Sequence, residues 1–115
     1  MTDFLNRFDV VVVKFPFASS LKYKARPAVV ISTKNYNQTN HNTLIIVAIS
    51  SQLKNISSFE SEIKFWKEAG LLKPSIFKSS VATIEQESVL FKLGSLSDID
   101  KVALENILDK MCISD

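Results

Sequence analysis

Short apolar runs separated by polar, turn-forming stretches organise this chain. Residues 10–15 follow Asp9 as an unbroken run rich in β-branched side chains, which predicts a buried strand ended by Pro16. Residues 18–25 are polar and basic and predict a loop. Residues 27–33 predict a second strand that opens on Pro27, since a missing N–H costs least at a strand's first position. The Asn-rich stretch 35–42 predicts a solvated loop. Residues 43–49 predict a third strand, with Ser50, Ser51 and Gln52 at its end.

The second half is less regular. In residues 59–65, Phe59, Ser61, Ile63 and Phe65 alternate with Glu60, Glu62 and Lys64, which favours a strand; Phe59, Ile63 and Trp66 also fit one face of a helix. A turn through residues 66–70 follows. Pro74 opens another apolar segment at 76–84, and residues 89–93 predict a last short strand stopped by Gly94. Residues 97–111 form the one clear helical pattern. Ser97 suits the N-cap, Asp98 and Asp100 face the positive end of the helix dipole, and Leu104, Ile107, Leu108 and Met111 recur on one face. Six short strands and a terminal helix predict a mainly β fold, a bent sheet closed into a small barrel with the helix packed on it.

Composition narrows the class. At 115 residues and 46% hydrophobic, the chain fits one domain with one thin core, which a partner subunit would help to cover. With only two glycines, three prolines and no repeat, it has no candidate linker. A net charge of +2 permits nucleic acid as a partner without demanding it. A lone Cys112 precludes an intramolecular disulfide and suits a reducing compartment. The first residues lack the basic-then-apolar order of a signal peptide, and no apolar run is long enough to span a bilayer. A cytoplasmic, soluble protein is expected.

Candidate chemistry centres on Lys24-Ala25-Arg26-Pro27. Pro27 biases Arg26 toward extended backbone and pins its guanidinium at the mouth of a strand, where a planar cation can meet a phosphate. Most Arg-Pro pairs at strand starts are plain solvated loop residues, and the rest of the chain is what favours the functional reading here. Phe17 and Tyr23 interleave with Lys22, Lys24 and Arg26, a mixture suited to stacking and charge along a single strand of nucleic acid; they would serve equally as apolar cover for the barrel end. One His, one Cys and no tight carboxylate cluster give no metal-ligand spacing, so neither metal nor cofactor is expected.

Four blocks in this order resemble the PemK/MazF-like toxins of type II toxin–antitoxin systems. They are the stretch from Phe8-Asp9-Val10 to Phe15-Pro16-Phe17, then Lys24-Ala25-Arg26-Pro27 with Ala28-Val29-Val30-Ile31-Ser32, then Val47-Ala48-Ile49-Ser50-Ser51-Gln52. The fourth joins Ala69-Gly70-Leu71-Leu72-Lys73-Pro74-Ser75, Ala82-Thr83-Ile84 and Lys92-Leu93-Gly94-Ser95-Leu96-Ser97. The resemblance implies an SH3-like barrel, a homodimer, metal-independent cleavage of single-stranded RNA, and inhibition by a cognate antitoxin protein. It carries Arg26 and Ser50 over as catalytic positions, Arg26 as phosphate stabiliser and Ser50 as hydrogen-bond donor. Ser50 would otherwise simply cap the strand end. Lys24 is expected to contact the backbone phosphates, or else to be a solvated loop charge. Gln52 reads a base edge or satisfies backbone groups, and Lys78 is a second cation.

Other residues fit blander roles. Asp9 orients Arg26 or serves a turn or ion pair, His41 is a solvated loop residue, and Trp66 belongs to the core or a dimer contact. Two departures stand out. The family's glycine before the first-strand aspartate is Phe8 here. The Arg-x-Asp pair that serves catalysis in part of the family is replaced at Phe77 and Ser79, so that strand supplies no acid–base carboxylate. Two alternatives therefore remain: a non-catalytic barrel that binds a protein target such as a topoisomerase, and a toxin-like barrel that keeps only antitoxin binding.

Overall fold

A computed structural model describes residues 5–16 and 23–112, with backbone alone at 15, 16 and 23. Phe17 and Lys22 lie outside the described residues, as does the side chain of Tyr23. In chain order the elements are β1 (Asp9–Pro16), β2 (Tyr23–Val30), α1 (Lys34–Thr39), β3 (Thr43–Ser50), β4 (Ser61–Glu62), β5 (Ile76–Glu85), a 3-10 turn (Gln86–Ser88), β6 (Val89–Ser95) and α2 (Asp98–Cys112). The strands form one antiparallel sheet in the order β4-β5-β3-β2-β1-β6. The mainly β expectation holds. The sheet is bent like an SH3-type barrel but stays open, because β4 and β6 do not pair. No helix among the described residues is long and apolar enough to cross a membrane.

The sheet is buried on both faces, which accounts for the unbroken apolar run of β1. Val10, Val29, Val47, Ile49 and Phe77 point to one face, where Leu104 and Ile107 of α2 and Ile63, Ala69 and Leu71 cover them. Val11, Val13, Ala28, Val30, Leu44 and Ile46 point to the other and pack with Leu5, Ala82, Ile84 and Val89. α2 begins as expected: Ser97 Oγ accepts the Asp100 N–H at 3.2 Å.

Four element expectations need correction. The Asn-rich loop contains a helix, α1, because Thr33 accepts Tyr36 N–H as its N-cap and Asn37 is wholly buried. Asn37 donates to the Leu5 carbonyl at 2.8 Å and accepts from Ser32, a polar network that overrides weak helix propensity. The strand expected over 59–65 is reduced to two paired residues, since residues 64–70 turn away. β2 begins at Tyr23, so Arg26 and Pro27 sit inside the strand rather than at its mouth. Pairing of β2 with β3 stops at Ala28, one residue after the proline that cannot donate. Finally, β6 runs through Gly94 to Ser95.

Gly94 marks a close approach, not a stop. A Cβ there would lie 2.6 Å from the Ala69 carbonyl oxygen, and one on Gly70 would lie 2.4 Å from the Leu93 oxygen. Gly70 also has φ +91°, a conformation costly for other residues. The chain's two glycines thus occupy the single crossing where the 64–70 turn lies backbone against backbone on β6. Phe8, where the family has glycine, likewise adopts φ 75°. Its ring packs on the core beneath Arg7 and Lys101, at 4.6 and 5.6 Å from its centroid, contacts that offset the backbone strain.

The same turn is tied to α2 by Asp100, whose fully buried carboxylate accepts Lys64 N–H and Phe65 N–H, each at 2.8 Å, and the Ser97 hydroxyl. Asp100→Asn retains the shape but replaces one acceptor oxygen with a donor, orphaning a backbone N–H. A loss of about 2 kcal/mol in urea unfolding is expected. A change under about 0.5 kcal/mol would mean that the carboxylate does not hold the turn.

Candidate functional site

Strand register assembles the candidate residues. Antiparallel partners point to the same face of a sheet. Arg26 is the partner of Val13 on β1, and Ser50 is the partner of Ile76 on β5. The β2–β3 register pairs Ala28 with Ala48 and Val29 with Val47. Continued two residues past the end of pairing, it sets Arg26 across from Ser50. Lys24, two residues before Arg26, shares that face, and both side chains are exposed. The β2–β3 ladder ends where Pro27 begins, so the two strand ends part into an opening flanked by the guanidinium of Arg26 on β2 and the hydroxyl of Ser50 on β3.

Ser50 Oγ accepts the Gln52 N–H at 3.0 Å. That is the strand-end cap anticipated as the plainer role, and it does not exclude the other. A hydroxyl that accepts from the backbone still has its own proton to donate, and the cap fixes where that proton can be offered. Gln52 itself is exposed beyond the strand end.

Lys78 occupies the start of β5, next to an irregularity between the pairs Ile49↔Phe77 and Val47↔Val81. Its ammonium meets Glu60 Oε2 at 2.8 Å. The Lys78 contact, joined by the Ser57 N–H, holds the Glu60 carboxyl below the usual carboxylate range. On either side of Lys78, Phe77 is fully buried in the core and Ser79 is exposed. Phe77 is covered within this single chain by residues of α2 and the 64–70 turn. Trp66 is half-buried against the same core, whereas Leu53 is 41% exposed.

The remaining candidates sort away from this cleft. Asp9 does not orient Arg26: it accepts from Asn6 N–H and the Ser95 hydroxyl and is paired with Lys92 at 3.2 Å, at the opposite end of β1. His41 is exposed, just before the start of β3. The eight residues of β3 separate it from Ser50 by roughly 25 Å. It lines a shallow cavity of about 380 Å³ with Asn42, Glu85, Gln86 and Glu87, where a hydrogen bond and like charge from Glu87 push the Glu85 carboxyl up. Among the described residues, no group of three or more His, Cys, Asp or Glu side chains could hold a metal ion.

Glu60 was not singled out by sequence reasoning. Its signal was present in the Phe59–Glu60–Ser61 alternation, but its partner becomes visible only once β4 is known to pair with β5.

The fold has many solved counterparts. The Mycobacterium tuberculosis toxin MazF-mt6 superimposes with a TM-score of 0.73 at 16% identity, over 93% of this chain and 98% of that one. A MazE–MazF structure from Deinococcus radiodurans gives 0.76 at 17% identity, over 96% and 97%. An endoribonuclease in complex with its cognate antitoxin from a Mycobacterial species gives 0.71 at 13% identity, over 95% and 93%. No curated protein sequence matches the chain significantly. The sequence profile described as PemK-like, MazF-like toxin of type II toxin–antitoxin system matches residues 6–112. A match of that length, on a chain that folds as MazF toxins do, makes this chain a member of the PemK/MazF-like toxin family.

Proposed function

We propose that the chain is the toxin of a type II toxin–antitoxin pair and cleaves single-stranded RNA without a metal ion. The observation that supports this reading is the β2–β3 register, whose continuation two residues past Ala28↔Ala48 brings Arg26 opposite Ser50, with Lys24 on the same face, in a MazF-like fold. In RNA cleavage the 2′-oxygen attacks the adjacent phosphorus, its proton passes to a base, and the P–O5′ bond breaks as the leaving oxygen takes a proton. Charge accumulates on the non-bridging oxygens of the crowded phosphorane. Arg26 meets that charge with a planar, permanently protonated fork, and Ser50 donates a hydrogen bond from a capped, oriented hydroxyl. Lys22, Lys24 and Lys78 bind neighbouring phosphates; Phe17 and Tyr23 stack on bases and Gln52 reads a base edge. The products carry 2′,3′-cyclic phosphate and 5′-hydroxyl ends. Such a toxin works in the cytoplasm, where its RNA is.

A second reading has an observation in its favour. Phe77 is committed to the core and Ser79 carries no charge, so the barrel could bind a protein target or its antitoxin without chemistry. Purified protein incubated with single-stranded RNA in EDTA separates the two. Discrete cuts support the nuclease; intact RNA together with blocked topoisomerase supercoiling supports the binder.

Two partners are proposed. The first is a second copy of the chain, since Leu72 is 92% exposed and Phe91 55% exposed on so small a body. Sedimentation at micromolar concentration should give twice the 12.9 kDa chain mass; a clean monomer throughout that range contradicts this. The second is an acidic antitoxin segment laid over residues 22–26, supported by the antitoxin complexes among the structural relatives. Its carboxylates would take phosphate positions, so added salt should weaken binding and Lys24→Glu should lower affinity at least tenfold in calorimetry. Unchanged affinity of that variant would place the antitoxin elsewhere.

A further inference from the structure

The ion pair at the start of β5 is built asymmetrically. β4 pairs with β5 at Ser61↔Phe77 and Glu62↔Ile76, and one further step of that register sets Glu60 across from Lys78. The Glu60 side chain is 7% exposed, and that of Lys78 is 36% exposed. One carboxylate oxygen accepts Ser57 N–H at 3.0 Å while the other meets the ammonium at 2.8 Å. The anion is therefore fixed at both oxygens and largely out of water, whereas the cation reaches solvent. Lys78 is also two residues from Ile76, the partner of Ser50, and although it opens the β5 irregularity, the continued β4–β5 register keeps it with Glu60 on the Ile76 face that carries Ser50.

An ion pair whose cation is more than a third exposed contributes little net stability, because water screens the attraction and the lysine gives up rotamers to make it. What it does supply is position. A free lysine samples many rotamers on a flexible four-carbon stem, and each must be given up to grip a phosphate. With one N–H on Glu60, the Lys78 ammonium has two left for other acceptors and a restricted range in which to offer them.

We propose that Glu60 is a positioning residue that holds Lys78 as the second phosphate-binding cation of the Arg26–Ser50 cleft. This rests on the nuclease reading above and adds to it a carboxylate that never touches the RNA. The alternative role for the pair is a plain staple between the 57–60 turn and β5.

The experiment is single-turnover cleavage of one defined single-stranded RNA by the full chain and its Glu60→Gln, Lys78→Met and Lys78→Arg variants. It is paired with binding of the same strand carrying a 2′-deoxy cut site at several salt concentrations. Lys78→Met should slow cleavage by on the order of 10- to 100-fold. It should also flatten the salt dependence of binding by about one phosphate contact, a change of roughly 0.7 in slope for a single strand. Lys78→Arg should keep most of the rate. Glu60→Gln keeps the cation, so its salt slope should match the parent's, yet its cleavage should slow about tenfold. The double variant Glu60→Gln/Lys78→Met should be no slower than Lys78→Met alone, because the two act as one unit.

A staple predicts the reverse for Glu60→Gln, a lowered thermal midpoint with the parent's rate at temperatures where it is folded, and that result overturns the proposal. If Glu60→Gln does not fold, the lysine variants decide: Lys78→Arg no faster than Lys78→Met, or Lys78→Met as fast as the parent, overturns it. Loss of cleavage in Arg26→Ala under the same conditions keeps the nuclease reading standing whatever Glu60 does. A parent that cuts nothing removes both.

Discussion

Arg26→Ala is expected to slow RNA cleavage by on the order of 10²–10³, the usual cost of removing one donor aimed at developing transition-state charge. The fold should hardly notice. Arg26 is exposed on a part of β2 that pairs with β1 alone, so the stability change should stay within about 1 kcal/mol. Arg26→Lys should recover part of the rate at most, since an ammonium is a point charge and cannot span two phosphate oxygens. Ser50→Ala should cost about tenfold, the worth of one neutral hydrogen bond near 1 kcal/mol. The ranking is as informative as the sizes. If Ser50→Ala is inactive and Arg26→Ala is not, the hydroxyl carries the chemistry and the assignment of roles is wrong.

Gly94→Ala should be strongly destabilising for a single added methyl. Its new carbon would stand 2.6 Å from the Ala69 carbonyl oxygen, and the obstacle is backbone rather than the end of a mobile side chain. Relief requires the 64–70 turn to lift off β6. That turn carries Ala69 and Trp66 onto the core and donates two backbone hydrogen bonds, from Lys64 N–H and Phe65 N–H, to the Asp100 carboxylate. A loss of about 3 kcal/mol or more is expected, a large part of the roughly 5–15 kcal/mol that holds a small domain together. Equilibrium denaturation should show it as a shifted midpoint, with Ser79→Ala within about 0.5 kcal/mol as the surface control. A Gly94→Ala protein as stable as its parent would mean that the turn and β6 do not meet backbone to backbone.

How much of this was legible beforehand depended on whether the signal was local. The uninterrupted Val10–Val13 run marked a strand because both faces of the sheet bury it, and α2 was marked by Ser97 and the spacing of Leu104 and Ile107. Arg26 and Ser50 stood out as motif positions, and the β2–β3 register, continued two residues beyond its last pair, brings them opposite each other. What was missed lay in pairings between distant segments. The Asn-rich stretch reads as loop by composition, and only the bonds from Asn37 to Leu5 and Ser32 reveal why it coils. Thr33 was the available hint, an N-cap residue three before Tyr36. Gly94 read as a strand stop because glycine is a punctuator in sequence, whereas here it makes room for another backbone. Glu60 looked like one charge in an alternating segment until β4 placed it against Lys78.

The central claim is that the Arg26–Ser50 cleft cuts RNA by internal attack of the 2′-hydroxyl with no metal ion. Its most direct test is to map the ends of the fragments from one single-stranded RNA, treated in EDTA with the parent and with Arg26→Ala purified side by side. The account predicts a small set of discrete cuts by the parent, every one ending in 2′,3′-cyclic phosphate and 5′-hydroxyl, with the same cuts at least a hundredfold slower in the variant. Cleavage that EDTA abolishes, fragments with 5′-phosphate ends, or equal cutting by both proteins would contradict it.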